Sequence, residues 1–363
     1  MPNKRIFFAI KQVAVKKDGE PAGSYRAIHG LQSFGMNTTF NLENVFEIGQ
    51  ISIYENIENV PDIECTLEKV LDGYPLIYHL LSIGATSATL AGRSTVSSDI
   101  GFSTYDDTKD SASGTPIAEC QISGIYASRL TYTFPTEGNC TESVTAIGNN
   151  KVWRSTGFTM VGLFNNTDVP LALTSGVGGV QRRENVIFLP PDNPSNDVNG
   201  MVATNRACVL PPDVDGITAS GLNLKTAGQY GAHISQITVT TDFNRTDLLE
   251  LGRRAPYFKY VNFPIEVTCD IEVIPTRGDF VQATEDGVYG SGINLLNRTI
   301  KIRTEDGTFL NLGTKNKLAS VSQGGGDAGG GNETVTYSFS NFNDLEVKHP
   351  ADPTASLANS YTS

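Results

Sequence analysis

The sequence predicts a mainly β protein built from two tandem domains, each a β-sandwich or β-barrel with little helix. The first observation is composition: 36 Gly and 17 Pro separate short segments rich in Thr, Val and Ile, a mixture typical of strands joined by turns. The second is length, because 363 residues are enough for two domains of roughly 100–200 residues each. The third is an internal repeat.

The repeat has a spacing of 203 residues, since residue 31 matches residue 234 and 234 − 31 = 203. The matched segments are 31–41 with 234–244, 46–49 with 249–252, and 54 with 257. After Pro61 and Pro264 one residue drops out, so 63–68 lies over 265–270 at a spacing of 202. Two copies are too few for a solenoid, so the repeat predicts one duplicated domain. Chance similarity between two β-rich segments is the alternative.

Turn-forming stretches of Pro, Asp, Asn and Gly at 189–200 and 210–216 place the junction between the two domains. The last residues are low in apolar side chains, which is typical of a terminal segment without a core of its own. The expected parts are a first domain at 1–200 with an insertion around 86–200, a second domain at 201–350 and a flexible tail at 351–363.

The repeated strands carry one apolar and one polar face. In a strand, successive side chains point to opposite sides, so alternate residues share a face. The apolar phase includes Ile63, Cys65 and Leu67 in the first copy and Ile265, Val267 and Cys269 in the second. The polar phase consists of Glu64, Thr66, Glu68, Glu266, Thr268, Asp270 and Glu272. We expect the polar phase of both copies to face water.

The strongest helical signal follows the first repeated strand, at 72–84. Asp72 can cap its start, Pro75 suits the first turn and Gly84 can end it. Helix is otherwise scarce in the pattern, which agrees with the mainly β prediction.

Several classes of function are disfavoured by charge and apolar content. The formal net charge of −12 repels a phosphate backbone, so ordinary nucleic-acid binding is not expected, although repulsion is useful in a conduit. No apolar run approaches the roughly 20 residues that span a bilayer, so no membrane partner is expected. The five cysteines are odd in number and lack a CxxC pair, which predicts reduced core thiols without a disulfide framework or zinc site.

Catalytic motifs are missing as well. The sequence contains no HExxH, GxSxG or Walker-type Gly-Lys-Ser/Thr pattern. Glu64 and Glu68 share a strand face at roughly 13 Å by strand rise, too far apart for a glycosidase pair within one strand. A solvated sheet face is the plainer interpretation of these carboxylates. We therefore expect no enzyme, no cofactor and no metal.

Residues 46–54 and 60–73 give the chain a resemblance to the major tail tube proteins of tailed bacteriophages. The resemblance covers 31–85 and extends through the repeat to 230–275, whereas 86–215 lacks such support. It implies subunits that form stacked, usually hexameric rings, whose inner sheets close into a β-barrel around an electronegative lumen for DNA. Some members of that family carry two fused tube domains and form trimeric rings with pseudo-sixfold symmetry.

For this chain the resemblance implies two tail-tube-like domains and a trimeric ring, with ring and stacking contacts to further copies of itself. The other implied partners are a tape measure protein and phage DNA in the lumen, and tail terminator and baseplate proteins at the ends. The implied location is the virion tail, assembled in the bacterial host cytoplasm. The implied lumen-facing residues are Glu64, Thr66, Glu68, Glu266, Thr268, Asp270 and Glu272.

Three alternatives stay open on the sequence. The chain can be another tail ring component, such as a terminator, neck or baseplate protein. It can be a receptor-binding or carbohydrate-binding β-sandwich, for which the single Trp gives little aromatic support. It can be a tail-associated glycosidase, for which no constellation of nucleophile and base is present.

Overall fold

The chain is known from a computed structural model that is mainly β, as the sequence predicts. The structure describes residues 8–21, 24–106, 116–154, 179–189, 233–275, 297–325 and 332–354, together with a few single positions. The predicted domain junction near 200 and the end of the predicted tail, 358–363, lie outside the described residues. Within the described part, no helix is long and apolar enough to cross a membrane.

The described elements are short strands with little helix between them. The strands of the first half are β1 Lys11–Lys17, β2 Arg26–Ala27, β3 Leu31–Thr39, β4 Leu42–Phe46, β5 Ile53–Glu58, β6 Asp62–Val70, β7 Ser98–Thr104, β8 Ala118–Pro135, β9 Thr141–Gly148, β10 Asn150–Arg154 and β11 Val186–Leu189. Those of the second half are β12 His233–Asp242, β13 Arg245–Leu248, β14 Phe258–Val261, β15 Glu266–Ile274, β16 Lys301–Thr304, β17 Phe309–Asn311, β18 Lys317–Gly324, β19 Thr334–Phe342 and β20 Glu346–Lys348. The α-helices are α1 Ile77–Leu81 and α2 Leu90–Ser94.

The main feature is an eight-stranded antiparallel sheet that runs through both halves of the chain. Its order is β3-β6-β9-β8-β12-β15-β19-β18. Among the described residues this sheet is open, because β3 and β18 are its two edges. The 18-residue strand β8 belongs to a second sheet as well, since its first half pairs with β7 on one side and β10 on the other.

Smaller sheets complete the fold. The second sheet continues from β7 to β1 and β2, and a third, four-stranded sheet has the order β11-β16-β17-β20. Two hairpins leave the main sheet between its strands: β4 with β5, and β13 with β14. We call residues 42–58 the first arm and residues 245–261 the second arm. The first arm joins β3 to β6, and the second joins β12 to β15.

One face of the main sheet is buried because its strands alternate as the sequence predicts. Ile63, Cys65 and Leu67 on β6 are at most 1% exposed, and the apolar phase of β15 is equally buried. A single apolar core contains these residues together with side chains from the second and third sheets. The described cysteines are Cys65, Cys120, Cys140 and Cys269, all free and buried, which confirms the core-thiol prediction for them. Burial raises the pKa of the Cys65 thiol to about 12.

The helix predicted at 72–84 is much shorter than expected and starts later. Asp72 does not cap it, because its carboxylate accepts hydrogen bonds from Lys69 Nζ at 3.0 Å and from the Tyr74 N–H at 3.2 Å. The α1 helix is capped from another strand instead. The buried Glu142 carboxylate on β9 accepts from the N–H of Ile77 at 2.6 Å and of Tyr78 at 3.1 Å. A carboxylate at a helix N-terminus satisfies donors that the helix cannot pair itself.

The C-terminal end of the second half packs onto the helices of the first half. Asp352 forms an ion pair with Arg93 of α2, and both side chains are completely buried. His79 of α1 donates from Nε2 to the Val347 carbonyl at 3.1 Å, and its Nδ1 lies 3.6 Å from Asp352. Burial, together with the nearby Arg93 charge, holds the pKa of His79 well below its usual range. The sequence places the start of a flexible tail at residue 351, yet residues 351 and 352 are buried here.

Replacing Asp352 by Ala tests how firmly this contact holds the two halves together. The change leaves the buried Arg93 charge without its partner, so we expect the free energy of unfolding to fall by about 3–5 kcal/mol. Urea denaturation followed by circular dichroism measures the loss. The matched control is Lys348→Ala, which breaks a half-exposed pair with Glu346 and should cost less than about 1 kcal/mol. Equal losses in the two variants would contradict the assignment.

Candidate functional site

The face of the main sheet opposite the core is left exposed or partly exposed by the described residues and is rich in hydroxyl groups; we call it the uncovered face. Directly paired residues of an antiparallel ladder share a face, so the pairs can be followed from strand to strand. One such row crosses all eight strands. It consists of Ser33, Glu68, Ser143, Thr131, Thr240, Thr268, Ser340 and Lys317. Six of these eight side chains carry a hydroxyl group.

The uncovered face contains every residue that the sequence predicts to face a lumen. Glu64 and Thr66 on β6 and Glu266 on β15 are exposed. The remaining four, which are Glu68, Thr268, Asp270 and Glu272, are partly exposed on the same side. The carboxylates form two ribs, one along β6 and one along β15, separated by the hydroxyl-rich strands β9, β8 and β12.

The sequence reasoning overlooked the hydroxyl residues that separate the two acidic ribs. The available signal was a repeated Thr-x-Thr or Ser-x-Ser spacing, as in Thr131 with Thr133, and Thr238 with Thr240. Sequence reasoning also overlooked Arg129, which pairs directly across from Asp242 on this face. Neutral hydroxyl groups bind water without attracting or repelling a charged ligand strongly. Among the described residues, no group of His, Cys, Asp and Glu side chains could hold a metal ion.

The two halves of the main sheet have the same internal order. Across the sheet, the order β3-β6-β9-β8 in the first half corresponds to β12-β15-β19-β18 in the second half. Even the irregularities match. A β-bulge lies between Leu31 and Ser33 in β3, and another lies at the same place in β12, between residues 234 and 236, where 234 − 31 = 203. A second pair of bulges lies at 127/129 in β8 and 318/320 in β18, where 318 − 127 = 191.

The ladder register corrects one detail of the sequence repeat. Met36 pairs with Cys65 in the first half, and Val239 pairs with Cys269 in the second. The first members differ by 239 − 36 = 203, but the second members differ by 269 − 65 = 204. The sequence match at 202 is therefore wrong by two residues for this strand. Its assignment of faces survives, because a shift of two residues returns every side chain to the same side.

The joint between the halves is the pairing of β8 with β12. It contains seven direct pairs, from Gln236 opposite Pro135 to Asp242 opposite Arg129. The outer edges of β3 and β18 correspond to β12 and β8, respectively, but pair with no strand in the described part of the chain. These edges are nine and eight residues long and contain no proline. Strand edges of this length, with unpaired N–H and C=O groups, can pair with another chain.

The two arms also correspond to each other, residue by residue. Leu42 pairs with Glu58 in the first arm and Arg245 with Val261 in the second, so both strands match at a spacing of 203. Both tips turn at a glycine with positive φ, +98° at Gly49 and +85° at Gly252, a conformation that favours glycine. The arms expose large apolar side chains. The exposed apolar residues are Leu42, Phe46, Ile48, Ile51, Ile53, Tyr54 and Ile57 in the first arm and Leu249, Leu251 and Tyr257 in the second.

Comparison with known proteins gives remote structural neighbours only. No family model and no curated protein sequence matches the chain. A chain of the tube-terminating cap of the anti-feeding prophage is similar with a TM-score of 0.30 and 12% identity, over 42% of this chain and 92% of that one. A chain of the anti-feeding prophage baseplate is similar with a TM-score of 0.32 and 10% identity, over 42% and 98%.

A third neighbour comes from the sheath–tube complex of an extracellular contractile injection system in its extended state. Its TM-score is 0.31 and its identity 13%, over 43% of this chain and 95% of that one. Likeness at these TM-scores carries no argument about fold or function. The functional argument for this chain therefore rests on the geometry of its main sheet.

Proposed function

We propose that this chain is a structural protein of a phage-type tail, and that three copies form the tube ring. The observation that carries the proposal is the joint between β8 and β12. Because β18 corresponds to β8 and β3 to β12, the same joint can form between the β18 edge of one chain and the β3 edge of the next. A ring built in this way has no free strand edges.

The correspondence fixes the residues that face each other across the proposed joint. Thr131 pairs with Thr240 inside the chain. Adding 191 to the first number and subtracting 203 from the second gives Ser322 and Asn37 as the equivalent pair between chains. Both residues lie on the uncovered face, because Ser322 pairs with Thr336 and Asn37 with Glu64. The proposed joint therefore continues the same two faces from chain to chain.

The size of the resulting barrel follows from the strand count. Three chains of eight strands give 24 strands, and strands lie about 4.8 Å apart, so the wall is about 37 Å across before strand tilt is counted. Barrels of 16–18 strands already enclose an aqueous channel. Six similar half-sheets from three chains also agree with the pseudo-sixfold ring that the family resemblance implies.

The uncovered face becomes the lumen wall in this arrangement. Its two acidic ribs per chain repel phosphate, the hydroxyl rows between them are neutral, and Arg129, which lies among these rows, pairs directly across from Asp242. This lining suits a conduit for DNA and, before ejection, for a tape measure protein. We propose contacts with terminator and baseplate proteins at the tube ends, in the virion tail, after assembly in the host cytoplasm.

Ring stacking is proposed to use arm positions that are apolar in both arms. Ile48 in the first arm and Leu251 in the second occupy equivalent positions, since 251 − 48 = 203. Each side chain is fully exposed, at 104% of its reference surface. A contact that repeats around a pseudo-sixfold ring needs the same chemistry in both arms, and these two positions provide it.

Cysteine cross-linking tests the proposed joint. In a background with Cys208 replaced by Ser, the variant Asn37→Cys with Ser322→Cys should form disulfides between chains, because paired strand residues meet the distance that a disulfide requires. Oxidised products on a denaturing gel should extend to a trimer and stop there. The control Asn37→Cys with Ser320→Cys, two residues out of register, should cross-link at least tenfold less. Larger products, up to a hexamer, would contradict the trimeric ring.

The double variant Ile48→Asp with Leu251→Asp tests stacking. Placing two carboxylates in the ring-to-ring contact should leave trimeric rings intact but prevent tubes, as seen by negative-stain electron microscopy. The control is Glu47→Asp, which keeps the charge of a neighbouring exposed arm residue and should leave tubes unchanged. If the native protein forms rings that never stack, a terminator, neck or baseplate ring becomes the better assignment.

Charge reversal on the two acidic ribs tests the conduit. The variant with Glu64, Glu68, Glu266 and Asp270 replaced by Lys should form normal rings, because these side chains lie on the uncovered face. Ejection of DNA from particles carrying it should slow by at least tenfold as phosphate binds the wall. The same four positions replaced by Gln provide the control and should show little slowing. Unchanged ejection by the Lys variant would count against a DNA conduit.

A further inference from the structure

The tip of the second arm contacts the base of the first arm. The guanidinium of Arg254, at the tip of the second arm, donates to the backbone carbonyl of Glu58 and to that of Asn59, the latter at 3.4 Å. Glu58 is the last residue of β5, where the first arm returns to the sheet. The contact therefore joins the tip of one arm to the base of the arm in the preceding half of the sheet.

The first arm has an equivalent tip. Within the chain, however, no half of the main sheet precedes the half from which the first arm leaves. Subtracting 203 from 254 gives Ile51, and adding 203 to 58 and 59 gives Val261 and Asn262. In a ring, the half that precedes β3 is the second half of the neighbouring chain. The contact of Arg254 with the base of the first arm then has a counterpart between chains, from Ile51 to the base of the neighbour's second arm.

The residue at the arm tip and the residue at the arm base both differ between the two equivalent contacts. Inside the chain, the guanidinium of Arg254 donates to main-chain carbonyls at the base of the first arm, a contact that an aliphatic side chain cannot make. At the equivalent positions, both members are aliphatic: Ile51 and Val261. The side chain of Ile51 is 101% exposed, and Phe263, which follows the same strand end, is 48% exposed. Ile51 belongs to the run of exposed apolar side chains of the first arm, and a contiguous exposed apolar patch is typical of a surface that another chain covers.

We propose that Ile51 docks against Val261 and Phe263 of the neighbouring copy of this chain. We call this apolar contact of Ile51 with Val261 and Phe263 the clasp. It lies at the outer end of each proposed joint and is separate from the strand pairing between β18 and β3. Its occupant is a second copy of the same chain, as the proposed ring requires, and the inference rests on that ring. The clasp assigns different tasks to neighbouring arm positions, since position 48 serves stacking and position 51 serves lateral contact.

The clasp also determines which arm occupies which site in the ring. An Ile tip placed at the base of the first arm could not donate to the carbonyls of Glu58 and Asn59 as Arg254 does. Each arm therefore prefers its own site, the second arm within the chain and the first arm between chains. Such mismatched pairings act against joints in which a half meets the wrong neighbour.

Proximity cross-linking with a short bis-maleimide tests the clasp in the full-length protein with Cys208 replaced by Ser. The variant Ile51→Cys with Val261→Cys should give products between chains, with at least tenfold more dimer and trimer than either single variant. The geometric control, Arg254→Cys with Glu58→Cys, should instead react within one chain and remain a monomer on a denaturing gel.

Replacing Ile51 by Asp supplies a second readout. The concentration at which half of the protein is assembled, measured by sedimentation, should rise at least tenfold, whereas the neutral arm control Glu47→Asp should leave it unchanged. Rings that form normally, without cross-links from Ile51 to Val261, would overturn the clasp but leave the proposed function intact. Failure of the native protein to form any ring would overturn both, and the Asn37–Ser322 cross-link distinguishes the two cases.

Discussion

The pairing of β8 with β12 is the constraint on which the rest of the structure depends. It turns two four-stranded ladders into one sheet and thereby aligns the uncovered faces of both halves. The same pairing decides which edges remain open, since it uses one edge of each half and leaves β3 and β18. A duplication without this joint would give two separate sheets, each with two open edges and no common surface.

The joint is supported from the core side by contacts of a different kind. The buried pair of Arg93 with Asp352 connects the helices of the first half to the end of the second. Nearby, the buried Asp306 carboxylate accepts hydrogen bonds from Thr304 and Thr308 and in turn lies 3.8 Å from His349 Nε2. Such pairs add little net stability, yet breaking one leaves a buried charge, so they fix how the halves are placed.

Much of this architecture could be predicted from sequence, because strand alternation is a local signal. The polar and apolar phases of β6 and β15 follow directly from residues such as Glu64 and Cys65. The two-residue error in the repeat arose from the same signal, since a pattern of period two looks alike after a shift of two residues. The length of α1 could not be predicted, because its cap, Glu142, comes from a strand 65 residues away from Ile77. The open edges of β3 and β18 are properties of pairing, which no local pattern contains.

The four bulges have a consequence for the shape of the wall. A bulge places one extra residue on one side of a ladder, so the strand bends and its twist increases locally. In this chain the bends recur at equivalent places in both halves. Curvature is therefore introduced in equal increments, and a cylinder made of such halves would be round and not flattened at the seams where one polypeptide ends and the next begins.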